Sequence, residues 1–300
     1  MKIREKFETE PRTFSFEFFP PKTPEAIESL FRTALRLRAL GPSFISVTYG
    51  AGGSTRRHTI ELTARFKDEL ALTAMAHLTC VGHSRAELLE ILSELNSRGI
   101  ENLMLLRGDP PAGQTNFVPA PDGFSNAYQL VRLARSVGDF CIGCAGYPEG
   151  HQECPDKEED LEHLKLKVES GADFIVTQLF FDNRDYFDFV DRARRRGIGL
   201  RIIPGIMPVT SWPHIQRIAR MCGASIPAKL ARDLEETGDD KAAAERIGTE
   251  HAVRQCEELL IRGAPGIHFY TLNQSRATEE IFKHLKEHVA ALMPAGPRSA

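Results

Sequence analysis

A carboxylate among phenylalanines is the first residue of the chain whose setting calls for chemistry. Glu17 lies in Phe14-Ser15-Phe16-Glu17-Phe18-Phe19-Pro20-Pro21, where a carboxyl group is costly unless protonated, paired or catalytic. Strand alternation puts Ser15, Glu17 and Phe19 on one face. Two readings stay open here: a buried ion pair with an inward Arg or Lys, or a general acid. Further on, Ser46-Val47-Thr48-Tyr49-Gly50-Ala51-Gly52-Gly53-Ser54-Thr55-Arg56 offers glycines that let backbone approach a ligand closely ahead of a helix N-terminus, which suits an anion. It is no dinucleotide fingerprint, because Thr55 stands where the third glycine belongs. His77 closes an apolar run in Ala76-His77-Leu78-Thr79-Cys80, a pattern more often of a hydrogen-bonded core histidine than of a ligand. Arg107-Gly108-Asp109-Pro110-Pro111 holds two opposite charges in a proline-stiffened turn, with a mutual ion pair as the bland reading. Glu149, His151 and Glu153 match no standard metal-ligand spacing, so no metal site is expected. Gln178 enters an aromatic pair in Thr177-Gln178-Leu179-Phe180-Phe181-Asp182, and His268-Phe269-Tyr270-Thr271-Leu272-Asn273 ends the series.

Each of these groups follows a short apolar stretch. Strands are predicted at Thr13–Phe19, Phe44–Thr48, Ala74–Leu78, Asn102–Leu106, Cys141–Gly146, Phe174–Leu179, Arg201–Pro204 and Gly266–Tyr270. Helices are predicted at Pro24–Leu40, Thr55–Glu69, Ser84–Arg98, Asn126–Val137, Asp156–Ser170, Arg184–Arg195, Ser211–Cys222 and Arg276–Leu292. Thr23 and Pro24 read as N-cap and first helical residue, and Ser84 with Glu87 as a capping box. Strand centres near Glu17, Val47, Ala76 and Met104 are 30, 29 and 28 residues apart, the length of one β-turn-α-turn module. Strict alternation implies a parallel sheet with right-handed crossovers, and eight units fit a closed (β/α)8 TIM barrel better than an open sheet. The expectation is one α/β barrel over residues 1–300. Residues 226–262 form a helical insertion (Pro227–Glu236 and Asp240–Arg262) packed on its wall, and 294–300 a disordered tail. Chemistry in such a barrel gathers at the carboxyl ends of the strands, where the polar groups above fall.

Composition bounds the partners. With 42% hydrophobic and 26% charged residues the chain can build a large core, which excludes disorder as the main state. Thirty-eight basic against 41 acidic residues give a net charge of −3, so no global positive field attracts nucleic acid. The charged start Met1-Lys2-Ile3-Arg4-Glu5-Lys6 lacks an apolar region behind it, and no run of about 18 apolar residues appears. A cytoplasmic protein without a signal peptide or membrane contact is expected, its partners being small molecules and further copies of itself. Six cysteines at 80, 141, 144, 154, 222 and 256 read as thiols, and Cys141-Ile142-Gly143-Cys144 as core rather than zinc or redox chemistry, because the pair lies inside a hydrophobic run with no second pair.

The ordered blocks Phe16-Glu17-Phe18-Phe19-Pro20-Pro21-Lys22, Val47-Thr48-Tyr49-Gly50-Ala51, His77-Leu78-Thr79-Cys80, Leu106-Arg107-Gly108-Asp109, Tyr147-Pro148-Glu149, Thr177-Gln178-Leu179-Phe180-Phe181-Asp182, Pro204-Gly205-Ile206-Met207-Pro208 and His268-Phe269-Tyr270-Thr271-Leu272-Asn273 resemble the 5,10-methylenetetrahydrofolate reductases over roughly residues 13 to 290. The resemblance implies a barrel that binds FAD without a Rossmann fold. It also implies ping-pong hydride transfer from NADH or NADPH through FAD to methylenetetrahydrofolate, giving 5-methyltetrahydrofolate for methionine synthesis. It makes Glu17 the general acid towards N10, in a phenylalanine-rich setting that raises a carboxyl pKa. Asp109 becomes the second catalytic acid, beside pterin and flavin, and Gln178 a pterin-binding amide. It places Tyr49, Ala51, His77, Arg107, Gly108, Asp109, Ala127, Tyr147, His151, Asp160, His163 and Lys167 around FAD, and Thr48 beside the nicotinamide. Gln274 stands where many members carry a basic residue towards the folate glutamate tail, with Arg276 two residues on. The chain ends soon after the eighth helix, which implies a bacterial-type catalytic barrel without the C-terminal regulatory domain of the eukaryotic enzymes.

Two other classes make different demands. A Schiff-base lyase or aldolase needs a lysine on a strand, and none of the eight predicted strands contains one. A non-catalytic flavin- or folate-binding barrel would more readily have lost Glu17.

Overall fold

Nine strands, all parallel, form one sheet in the order β7-β6-β5-β4-β3-β2-β1-β9-β8 in a computed structural model that describes residues 1–21, 23–50, 56–110, 117–274 and 276–292. They are β1 (Thr13–Phe18), β2 (Phe44–Val47), β3 (Ala74–Thr79), β4 (Asn102–Leu106), β5 (Cys141–Gly146), β6 (Phe174–Thr177), β7 (Arg201–Ile203), β8 (Gly205–Ile206) and β9 (Gly266–Tyr270). Helices α2 (Pro24–Arg38), α3 (Arg56–Asp68), α4 (Arg85–Ser97), α5 (Ala127–Val137), α6 (Lys157–Glu169), α7 (Asn183–Arg195), α8 (Trp212–Cys222) and α11 (Arg276–Leu292) alternate with them. The result is a (β/α)8 barrel. Its predicted tail at 294–300 lies outside the described residues.

The strand predicted to stop at Pro204 instead breaks there and resumes. β7 pairs with β6, and β8 pairs with β9 through Gly205 opposite His268. Proline has no N–H for the ladder, so the chain changes partner at that residue. The Pro204 carbonyl accepts from His268 N at 2.9 Å, and Gly205 N donates to Thr177 Oγ1 at 2.9 Å. This broken strand closes the barrel between β6 and β9. A Cβ at Gly205 would lie 2.4 Å from the Thr177 carbonyl oxygen, so only glycine fits the seam.

The predicted helix starts are present. Thr23 accepts from Ala26 N ahead of Pro24, and Ser84 and Glu87 cap each other's backbone N–H. One helix was not anticipated. Residues Ile3–Thr9 form α1, which covers the amino ends of the strands. Ile3 is fully buried with Phe44, Met75, Met104, Cys141 and Phe174, and its N–H donates to Asn102 Oδ1 at 2.7 Å. Arg4 donates to the Phe140 carbonyl and to Asp139, and Arg201 to the carbonyls of Phe7 and Glu10. The 226–262 stretch forms α9 (Ala228–Glu235) and α10 (Lys241–Ile261). Leu230, Leu234 and Ala244 pack on Leu179, Phe181, Met207 and Val209, while Cys256, Leu259 and Leu260 share a core with Phe269 and Phe282. Cys141 and Cys144 are buried free thiols. Among the described residues no helix is long and apolar enough to cross a membrane.

Candidate active site

Barrel closure places β9 beside β1, with Ser15 opposite His268 and Glu17 opposite Tyr270. Alternation then turns Ser15, Glu17 and His268 towards the interior. His268 is fully buried and bridges the other two: Nδ1 lies 2.7 Å from Ser15 Oγ and Nε2 3.2 Å from Glu17 Oε2. Ser46 Oγ, from β2, donates to the same carboxylate oxygen at 3.4 Å. His77, from β3, brings its Nε2 within 3.4 Å of Glu17 Oε2 at an angle that leaves that nitrogen without a hydrogen bond. The ion-pair reading of Glu17 therefore needs amending, since its neighbours are two histidines and a serine rather than Arg or Lys.

Burial pushes the Glu17 carboxyl up, but His77, His268 and Ser46 together bring it below the ordinary carboxylate value. The phenylalanine-rich segment had suggested a raised value. Alternation explains the difference, because Phe16 and Phe18 point into the core while Glu17 faces polar partners. Burial lowers His77 to about 4, against the opposing pull of Glu17. His77 is neutral at pH 7, so little of its attraction for the carboxylate then remains.

The turn after β9 fixes the carboxyl end of β1. Thr271 Oγ1 donates to the Glu17 carbonyl at 2.6 Å, while Asn273 accepts from Phe19 N and donates to Phe19 O. Leu272 and Asn273 both take positive φ to do this, a conformation that costs most non-glycine residues energy.

Above this cluster opens a cavity of about 370 Å³ lined by Glu17, Thr48, Tyr49, His77, Arg107, Gly108, Asp109, Tyr147, His151 and Gln178 among others. A second chamber of about 160 Å³ shares Arg107, Tyr147 and His151 with it and adds Ala127, Asp160, His163 and Lys167. Of the residues singled out in the sequence, Ala51 lies outside the described residues. Gln274 lines neither chamber. It is exposed in an outer groove with Arg36, Arg276 and Lys283.

The walls suit a large polar ligand with an aromatic part. Thr79 Oγ1 and His77 Nε2, both on the main cavity wall, are buried without a hydrogen-bond partner, and buried polar groups normally have one. A Cβ at Gly108, where φ is +88°, would lie 2.6 Å from Val81 Cγ1. Tyr147 stacks edge-on against His151 with ring centres 4.7 Å apart. Two cations border the second chamber. Lys167 Nζ donates to the Ala145 carbonyl at 2.6 Å, and Arg107 does not pair with Asp109 but donates twice to Glu153, each at 2.7 Å. Asp109 is exposed at the cavity. Burial raises the Asp160 carboxyl and lowers His151. Of Glu149, His151 and Glu153, Glu149 accepts from Ser225 N, the Glu153 carboxylate takes Arg107, and His151 Nδ1 accepts from Glu153 N.

Residues 2–286 match the family model for methylenetetrahydrofolate reductase. The chain belongs to the methylenetetrahydrofolate reductase family. It is 40% identical over 295 residues to methylenetetrahydrofolate reductase (NADH) 1 of Arabidopsis thaliana, covering 95% of this chain and 50% of that one. Identity to 5,10-methylenetetrahydrofolate reductase of Escherichia coli is 38%, over 89% of this chain and 88% of that one. The chain thus spans about half the length of the plant members and most of the bacterial one. Among solved structures, an uncharacterized protein from Clostridium thermocellum that binds two copies of 5-methyl-5,6,7,8-tetrahydrofolic acid superposes with a TM-score of 0.67 at 16% identity, covering 97% of this chain and 99% of that one. A 2,3-dimethylmalate lyase superposes at 0.55 with 9% identity, covering 100% and 92%. At such identities the likeness concerns the fold alone.

Sequence reasoning had put Ser15 on the face of Glu17 but had not joined His268 or Ser46 to it. The signal for Ser15 was present in the alternation. That for His268 depended on knowing which strand closes next to β1.

Proposed function

We propose that the chain reduces 5,10-methylenetetrahydrofolate to 5-methyltetrahydrofolate, with FAD held across both chambers and NADH or NADPH as the hydride donor. The observation that carries this reading is Glu17, held by His268 at the floor of the larger chamber and facing its interior. FAD, when bound, would supply hydride transfer, taking a hydride from the nicotinamide and giving it to the folate in a ping-pong cycle.

The residues of the chain have distinct tasks. The folate five-membered ring must open to a 5-iminium cation before a hydride can add, and Glu17 would deliver the proton to N10. A ligand that fills the chamber expels water and strengthens the upward push of burial on this carboxyl, moving it towards the range a general acid needs. Asp109 would hold negative charge beside the iminium cation, and Gln178 would bind the pterin through its amide. Thr48 would border the nicotinamide. Tyr49, His77, Gly108, Tyr147 and His151 would surround the flavin rings and chain, with Ala127, Asp160, His163, Lys167 and Arg107 towards its phosphates and nucleoside, while Ala51 is assigned to the flavin on the family resemblance alone. Gln274, in the outer groove, would meet the distal end of folate. On this reading the product supplies methyl groups for methionine synthesis in the cytoplasm, from an assembly of several copies of the chain.

Two half-reactions test the proposal. The FAD-loaded protein should be yellow, and NADH or NADPH should bleach it anaerobically. Glu17→Gln should keep the bleaching and lose about 10²–10⁴-fold in folate reduction, the usual worth of general acid catalysis. A chain that takes up no FAD, or equal loss of both half-reactions in Glu17→Gln, would contradict it.

A further inference from the structure

The turn before α6 and the first turns of that helix gather three metal-binding side chains away from the Glu17 cluster. Cys154 Sγ, a carboxylate oxygen of Glu159 and a ring nitrogen of His163 lie within 4.8 Å of one another. Glu159 and His163 are four residues apart on α6 and share a face. Cys154 comes from the turn just ahead of the Asp156 N-cap. We propose that these three side chains form a site for a divalent cation of the zinc class, whose occupation excludes flavin from the second chamber; the exclusion rests on the flavin reading above.

Thiolate, imidazole and carboxylate are all zinc donors, with bonds of about 2.0–2.3 Å, and a tetrahedron built on such bonds has edges of roughly 3.5 Å. The donors, within 4.8 Å of one another, have to approach by up to roughly 1.3 Å to hold one ion, and the fourth position would then be open to water. Charge favours a cation here. Glu158, Glu159 and Asp160 occupy the first turn of α6 behind Asp156; Glu158 is taken up by Arg196, and the remaining carboxylates offset the positive potential of the helix amino end. The Cys154 thiol now donates to the Asp156 carbonyl at 3.5 Å. Metal binding replaces its S–H bond by an S–metal bond and releases the proton to solvent. Cys154 and His163 also stand on the wall of the second chamber with Asp160 and Lys167, so an ion held by them takes up space and ties down side chains the flavin would meet.

The full chain, freed of flavin, is titrated with Co²⁺ alone. A thiolate-to-cobalt charge-transfer band should appear and be lost in Cys154→Ser, and Glu159→Gln should weaken Co²⁺ binding at least about tenfold, since even supporting residues of metal sites are worth that much. No band, or a band that persists in Cys154→Ser, overturns the site. Zn²⁺ should then suppress FAD uptake, read by flavin fluorescence, in the parent but not in Cys154→Ser. Uptake indifferent to Zn²⁺ while the cobalt band is present overturns the exclusion. A chain that takes up no FAD with or without Zn²⁺ defeats the flavin reading and the exclusion with it, and the cobalt band still decides the metal site.

Discussion

An ionised Glu17 can only accept hydrogen bonds, so the His268 nitrogen facing it carries a proton, and in the neutral imidazole the other nitrogen then accepts from the Ser15 hydroxyl. This assigns the tautomer through the hydrogen-bond network and makes Ser15 the anchor of the imidazole. Ser15→Ala removes the donor and leaves His268 Nδ1 buried without a partner, which costs about 1–3 kcal/mol. The variant should unfold at lower urea concentration, and its imidazole should lose the orientation that holds Glu17. Folate reduction should fall while bleaching of the flavin by nicotinamide is kept. A variant in which the two half-reactions fall together would remove Ser15 from the Glu17 network. At this scale the sequence was half legible. The shared face of Ser15 and Glu17 follows from alternation within one strand, whereas their partner lies 251 residues further on than Glu17, and no local rule names it.

The elements were most legible where a long amphipathic pattern repeats, and least where a short element depends on the rest of the barrel. Helix α1 has seven residues with Ile3 and Phe7 as its main apolar groups, too short to form alone in water and too short to give a clear period. Its stability comes from the strand ends it covers. Ile3→Ala removes a fully buried side chain and should destabilise the chain by about 2–5 kcal/mol, measured as a lower urea midpoint at unchanged slope. A loss near zero would mean that the barrel floor does not need α1. The break at Pro204 was misread for a related reason. Proline signals the end of a ladder, but it does not tell that the strand resumes against a different neighbour when a barrel has to close.

At the level of the whole molecule, the eight-unit rhythm was visible in the sequence because each unit repeats the same local physics. The cavity was visible only as a set of polar strand ends, since their convergence depends on closure. Convergence has a thermodynamic consequence, because it buries ionisable groups together. His77 falls from an ordinary 6.5 to about 4 when folded, and burial also lowers His83, His151 and His251. A histidine lowered in the folded state binds protons more readily when unfolded, so its contribution to stability falls as pH drops from 6.5 towards 4. Glu17, lowered instead as a carboxylate, adds stability above its ordinary value that is lost only below it. The first loss on acidification is therefore the histidine one. His77 alone should make the flavin-free chain roughly 2 kcal/mol less stable at pH 5 than at pH 7, by the linkage relation. Urea unfolding at the two pH values measures the total, and His77→Gln isolates the share of this residue by reducing the difference. If the parent is equally stable at both, or His77→Gln keeps the whole difference, then His77 is not held neutral by the closed barrel.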